Sequence, residues 1–254
     1  MNLREMIKLH ESMGMEFQQD GLCYSLNKDI IEVSATDDFN EESADILEGT
    51  ESIKLNAFKN KTNLKHINMP KGLRTIEAGA FLNCESLQEV VMPDGVVKIG
   101  ASALDGCTSL RSVEIPDSVV NIGHSAFARC SNLSVARLPN KVERLESSTF
   151  YRCTQLETII LPPKLECIGA WAFYDCISLT NINFPSSVVY IGPFSFYECT
   201  KLQSIEIPAG VTNIGDGAFR QCIKLRHVRL PKHLEFCADE AFMTLLVKIN
   251  FEFY

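Results

Sequence analysis

Apolar and polar positions along this chain form one pattern that returns every 23 residues. Each unit reads Leu-x-x-Ile-x-Ile-Pro, then x-x-Val-x-x-Ile-Gly-x-x-Ala-Phe-x-x-Cys-x-x-Leu. The residues three and one before each proline are apolar, as in Ile159/Leu161 and Ile205/Ile207, and the residue between them varies. Period-two alternation of this kind predicts a short strand. Identical strands one period apart predict a parallel sheet, with neighbours about 4.8 Å apart. Proline lacks the ladder N–H and is tolerated because it ends each strand. A second apolar pair, such as Val119/Ile122 or Val211/Ile214, predicts a return along another side of the coil as a second short strand. The Ala-Phe pair predicts a brief helical or 3₁₀ turn whose ring fills the core.

Four columns carry the repeat. Eight prolines run from Pro70 to Pro231, and eight leucines from Leu64 to Leu225. A nine-member column, Phe58 to Phe242, is phenylalanine except at Leu104. Seven cysteines occupy Cys84, Cys107, Cys130, Cys153, Cys176, Cys199 and Cys222. A period of this length is the signature of a solenoid whose units cannot bury their apolar faces alone. Gly100, Gly123, Gly169, Gly192 and Gly215 share a column with Glu77, Glu146 and Ala238. Close packing, and not a strict positive φ, is the expected reason for those glycines.

These columns resemble the BspA-like leucine-rich repeat family, a short-period class with 23-residue repeats. The resemblance covers residues 47–254 and implies an α/β-type leucine-rich repeat solenoid. Such a fold has mainly short parallel strands, one per rung, joined by brief helical or 3₁₀ turns. The resemblance also implies cell-surface, adhesin-like or other binding roles, with partners that differ widely, and it supplies no catalytic residue.

The ends depart from the pattern. Leu3, Met6, Ile7, His10 and Met13 recur at helical spacing, which predicts a helix over 3–13 stopped near Gly14. Leu22, Tyr24 and Leu26, then Ile31 and Val33, predict a hairpin turning at Asn27-Lys28-Asp29. Residues 37–48 carry Asp37, Asp38, Glu41, Glu42, Asp45 and Glu48 and are expected to be a solvated acidic loop. Residues 1–46 therefore read as an N-terminal cap, and 47–254 as a solenoid of about nine units. At the other end Phe251 and Phe253 fall on the two inward strand columns, with Leu245 and Lys248 in the cysteine and leucine columns. Phe251, Phe253 and Tyr254 are expected either to pack back over the core or to make an end-to-end contact, a weak homodimer through the C-terminal rung.

Charge narrows the function classes. The 254 residues are 46% hydrophobic and 22% charged, with a net charge of −8. That balance argues against phosphate-backbone recognition, so no nucleic-acid partner is expected. No apolar run approaches a membrane span. The start, Met1-Asn2-Leu3-Arg4-Glu5, lacks the form of a secretory signal, so a cytoplasmic location is expected, with the cell surface or non-classical secretion as the alternative.

The candidate chemistry is sparse. Cysteines at 23-residue spacing lack the short paired spacing of a zinc site, and they are expected to be buried core filling. Cys23, Cys167 and Cys237 lie outside the column, and Cys167 shares its position with Lys98, Asn121 and Arg144, which predicts exposure. No nucleophile–base motif or glycine-rich phosphate loop appears. The chain is read as non-enzymatic, with no cofactor, no metal and no catalytic residue. The outward strand column sets Glu114 beside Arg137 and Glu206 beside Arg229, opposite charges on adjacent rungs.

The position after the phenylalanine column is different: Leu82, Asp105, Ala128, Tyr151, Tyr174, Tyr197, Arg220, Met243. Three successive tyrosines predict a stack at rung spacing. Trp171 and Phe194 lie three residues earlier in the same units, and Tyr190 is expected nearby. Aromatic anchors are enriched at interfaces. Tyr151, Trp171, Tyr174, Tyr190, Phe194 and Tyr197 are thus the candidate patch for a protein or glycan ligand, against the alternatives that the rings only pack on one another and that the array is structural or antigenic.

Overall fold

The structure, a computed structural model, describes residues 1–237, 241–242 and 249–254. The sequence positions Ala238, Met243, Leu245 and Lys248 lie outside the described residues. Helix α1 (Leu3–Ser12) opens with a capping box: Asn2 Oδ1 accepts from the Glu5 N–H at 2.9 Å, and the Glu5 carboxylate accepts from the Asn2 N–H at 3.0 Å. It buries Ile7 against the sheet below. Strands β1 (Phe17–Gln19), β2 (Leu22–Asn27) and β3 (Ile30–Ala35) run antiparallel. Lys28 and Asp29, both at positive φ, form the two-residue turn that matches strand twist.

The acidic segment is not all loop. Ser43–Asp45 forms β4, parallel to residues 66–68, with Ala44 and Ile46 buried. These two residues stand 23 before Ile67 and Met69, so the repeat begins inside that segment. Strand β5 (Ser52–Ile53) then pairs in parallel with β3, which makes the hairpin the template of the solenoid.

Most rungs contribute two strands, the second formed by the second apolar pair. The first has three residues in an out-in-out pattern, such as Ser112–Glu114 with Val113 buried. The second has two, such as Asn121–Ile122 with Ile122 buried. The register equals the repeat: Val113 faces Val90, and Ile122 faces Ile99. Inside, the phenylalanine rings stack with centroids 4.9–5.6 Å apart from Phe127 to Phe242. Leu104 interrupts that stack and leaves Phe58 and Phe81 as a separate pair at 5.3 Å. Burying each ring contributes roughly 2–3 kcal/mol.

The Ala-Phe segment carries the i→i+3 bonds of a 3₁₀ turn, such as Ala80 N–H to Glu77 O at 3.2 Å. Among the described residues, two in each such turn from 56–60 to 217–221 are left-handed. One column runs Asn56, Gly79, Ser102, Ser125, Ser148, Trp171, Phe194, Gly217, and the other Asn60, Asn83, Gly106, Arg129, Arg152, Asp175, Glu198, Gln221. Alternating handedness points every second N–H at the next rung, as in Phe81 to Ala103 O at 2.7 Å and Asn83 to Asp105 O at 2.7 Å. This ladder joins the rungs as firmly as the strands do. By contrast, Gly215 has no positive φ, and a Cβ there would stand 2.4 Å from Pro193 N, so close packing is the reason for that column.

Both sheets break at one junction. Among the described residues no strand pairing joins 112–114 to 135–137 or 121–122 to 144–145. The turn ladder continues across it, with Ser125 N–H to Ser147 O at 3.0 Å. Glu146 stands there in the close-packed glycine column. Glu77 in the same column keeps its bond to Ile53 O at 2.9 Å, so the larger side chain alone does not open a rung.

At the far end Asn250–Phe253 pairs in parallel with His227–Leu230. Phe251 packs back on Phe242, edge to face at 5.5 Å. Phe253 and Tyr254 stay exposed, although the Tyr254 hydroxyl donates to Ile207 O at 2.7 Å and its ring lies under the Arg229 guanidinium at 4.7 Å.

Candidate functional site

The cysteine column is closed to chemistry. All seven thiols are buried, and each donates to the carbonyl of the previous rung's phenylalanine column, from Cys84 to Phe58 O at 3.0 Å through Cys222 to Phe196 O at 3.2 Å. That carbonyl already accepts an i+3 N–H, such as Lys61 N–H to Phe58 O at 3.1 Å, so the thiol takes its second lone pair. Burial pushes the thiols of Cys84 and Cys222 up to about 12, with a backbone hydrogen bond as the opposing influence. Burial was legible in the sequence; the thiol ladder was not. Among the described residues no cluster of three metal-ligating side chains exists.

The aromatic flank is built on the left-handed columns. Trp171 at φ +55° and Phe194 at φ +53° occupy a position that other rungs give to Gly, Asn or Ser. A bulky residue in that region is an outlier and costs about 1–2 kcal/mol. The inter-rung bonds from Trp171 N–H to Pro193 O at 3.1 Å and from Phe194 N–H to Asp216 O at 3.0 Å hold both in place. Tyr151, Tyr174 and Tyr197 stack with centroids 5.0 and 4.8 Å apart, and Phe194 meets Tyr197 edge-on at 6.0 Å. Burial, followed by the nearby Glu198, raises the Tyr174 phenol above its ordinary value.

The stack closes both faces of Tyr174 and one face each of Tyr151 and Tyr197. Phe194 leans over Gly217, where a Cβ would stand 2.7 Å from its ring. Trp171 instead borders the serines of its column. It walls a cavity of about 610 Å³ whose other sides are Asp105, Ser125, Ala128, Arg129, Ser148, Tyr151 and Tyr174. Trp171 is 44% exposed, and its ring joins no aromatic pair among the described residues. Asp105 Oδ1 accepts from Arg129 Nε at 2.8 Å, and this bond raises the Arg129 guanidinium further. On the other flank Arg152 lies 5.3 Å from the Tyr151 ring centre and 3.6 Å from Asp175. Burial raises the Asp175 carboxyl, and Arg152 opposes the shift.

A family comparison fits this architecture. The model described as BspA type Leucine rich repeat region matches six copies, over residues 51–150 and 122–248. The chain belongs to this family.

Solved structures of other leucine-rich repeat proteins are similar to this chain. A leucine-rich repeat protein from Eubacterium ventriosum is 21% identical with a TM-score of 0.52, over 78% of this chain and 49% of its own. A leucine rich cell surface protein from Faecalibacterium prausnitzii is 21% identical at TM-score 0.42, over 94% of each chain. The T. pallidum leucine rich repeat protein is 23% identical at TM-score 0.49, over 90% and 97%. Among curated sequences none is significantly similar. Among the described residues no helix is long and apolar enough to cross a membrane.

In this BspA-type solenoid the sequence candidates do not all meet. Tyr190 lies on the second-strand sheet, between Cys167 and Asn213, and joins no ring pair of the flank among the described residues. Cys167 is buried, not exposed, because the longer side chains of Arg144 and Tyr190 flank it on both sides. Glu206 does pair with Arg229 at 2.8 Å, but Arg137 turns to Asp117 at 3.5 Å across the broken sheet from Glu114. Sequence reasoning missed Ser125, Ser148 and Arg129, although the Ser102, Ser125, Ser148, Trp171 column was there to be read. It also missed a polar groove of about 770 Å³ along Asn181–Phe184, where the first strand of one rung pairs with neither neighbour.

Proposed function

We propose that this BspA-type chain is a non-enzymatic binding module and that the flank around Trp171 is its contact surface. One observation carries the reading. Trp171 is held in a conformation unfavourable for its type while it stays 44% exposed beside a cavity of about 610 Å³. Strain of this kind at a side chain left so exposed points toward function. The tyrosines are supports in this scheme: stacked on one another, they offer hydroxyl edges around the cavity and hold its floor.

Replacing Trp171, Tyr174 and Phe194 together by alanine tests the reading. Wild-type chain immobilised on beads should recover a partner from extract of its source cells or their surroundings. The triple variant should lose that partner while its circular dichroism spectrum is unchanged. Retention of every partner by the folded variant, or unfolding of the variant, would overturn the proposal in favour of a packing role.

A further inference from the structure

Building on that reading, we infer that the cavity beside Trp171 binds a pyranose segment of a neutral glycan. Three features of the cavity select this chemistry. The first is a flat wall. Trp171 is unstacked and exposed, whereas the faces of Tyr174 are covered by Tyr151 and Tyr197. A pyranose presents a face of axial C–H bonds that lies on such a ring, and an indole offers the largest area of any side chain for it.

The second feature is a polar pair with no net charge. Asp105 engages Arg129 through Oδ1, and its side chain is only 14% exposed. Its Oδ2 makes no hydrogen bond among the described residues, which leaves one acceptor free on a residue that lines the cavity beside the Arg129 guanidinium. A vicinal diol supplies matching donor and acceptor groups at adjacent carbons. Because the carboxylate and guanidinium cancel, neither an anionic nor a cationic ligand gains net attraction. Charge-assisted hydrogen bonds to hydroxyls are stronger than neutral ones, so the pair confers orientation on a neutral ligand.

The third is a surplus of free hydroxyls. Among the described residues no intramolecular hydrogen bond engages the hydroxyls of Ser125, Ser148, Tyr151 or Tyr174, all of which line the cavity. A polyhydroxylated ligand matches such a lining, while a peptide offers chiefly one donor and one acceptor per residue. The volume of about 610 Å³ lies within the range of small-ligand sites, roughly 300–1,000 Å³, and accommodates a short oligosaccharide stretch.

The chain has a single tryptophan, so its emission reports on this cavity alone. Wild-type protein is titrated with neutral tetrasaccharides of glucose, mannose, galactose and N-acetylglucosamine, beside a hyaluronan oligosaccharide and a proline-rich peptide. The expected result is a saturable emission change with at least one neutral saccharide, insensitive to salt. Calorimetry with that saccharide should show Trp171→Ser, which restores the residue of neighbouring rungs, weakening binding roughly tenfold or more, and Asp105→Asn weakening it about tenfold. Silence toward every neutral saccharide, equal affinity of Asp105→Asn, or a response only to hyaluronan or the peptide would overturn the inference. Failure of the wider reading looks different. If the immobilised chain still captures a periodate-resistant protein that the triple alanine variant loses, the binding module stands and the glycan assignment falls. If the triple variant loses nothing, both fall.

Discussion

Raising the pH from 7 toward 10 should unfold this solenoid by drawing protons from its core. The seven column thiols ionise near their ordinary value of 9.0 once the chain is unfolded, while burial raises every one of them in the folded state. A raised folded value means that the unfolded chain releases its protons first. Stability is therefore complete below about pH 9 and declines from there up to the folded value, about 12 for Cys84 and Cys222. At pH 10 each thiol costs roughly 1–2 kcal/mol, and seven together cost on the order of 10 kcal/mol. A typical domain has only about 5–15 kcal/mol of stability. Burial raises the Tyr24 phenol too, which adds to the same alkaline limb.

Urea titrations followed by circular dichroism at pH 7, 8, 9 and 10, under reducing conditions, measure this directly. The bulk of the thiolate absorbance, that of the buried column, should appear together with loss of structure and not before it. Cys153→Ala provides the internal control. It loses the hydrogen bond to Phe127 O at 3.1 Å and costs about 1–2 kcal/mol at pH 7, yet its decline above pH 9 should be shallower by one thiol in seven. A wild-type stability that stays flat from pH 8 to pH 10, or a parallel decline in Cys153→Ala, would refute the argument.

Two further substitutions separate scaffold from site. Gly215→Ala sets a methyl 2.4 Å from Pro193 N and 2.7 Å from its Cα, so the rungs must part, and a loss of about 2 kcal/mol or more is expected in thermal denaturation; a neutral result would contradict the close-packing account. Trp171→Gly removes a strain of about 1–2 kcal/mol and forfeits the burial of about half a tryptophan ring, roughly 2–3 kcal/mol. The melting curve should therefore shift little, by the equivalent of about 1 kcal/mol; a loss above about 3 kcal/mol would mark the ring as structural.

The sequence by itself determined the period, the inward columns, the parallel register and the helix–hairpin cap. These follow from apolar periodicity, because a unit with one buried face and a 23-residue repeat can satisfy it only by stacking on its own copies. Even β4 was legible in principle: Ala44 and Ile46 fall on the inward columns, but the surrounding acidic residues concealed them. Tertiary structure decided what periodicity does not encode. Backbone handedness is one example, since Gly, Asn and Ser at 79, 56 and 102 hint at a left-handed column, whereas Trp171 and Phe194 in it do not. The direction of side chains at a rung edge is another. Tyr190 and Trp171 are close in sequence, yet one stands on a strand and the other in a turn. The thiol ladder and the Asp105–Arg129 pair likewise depend on which atoms of adjacent rungs come within about 3 Å, a distance set by packing between rungs and not by the spacing along the chain.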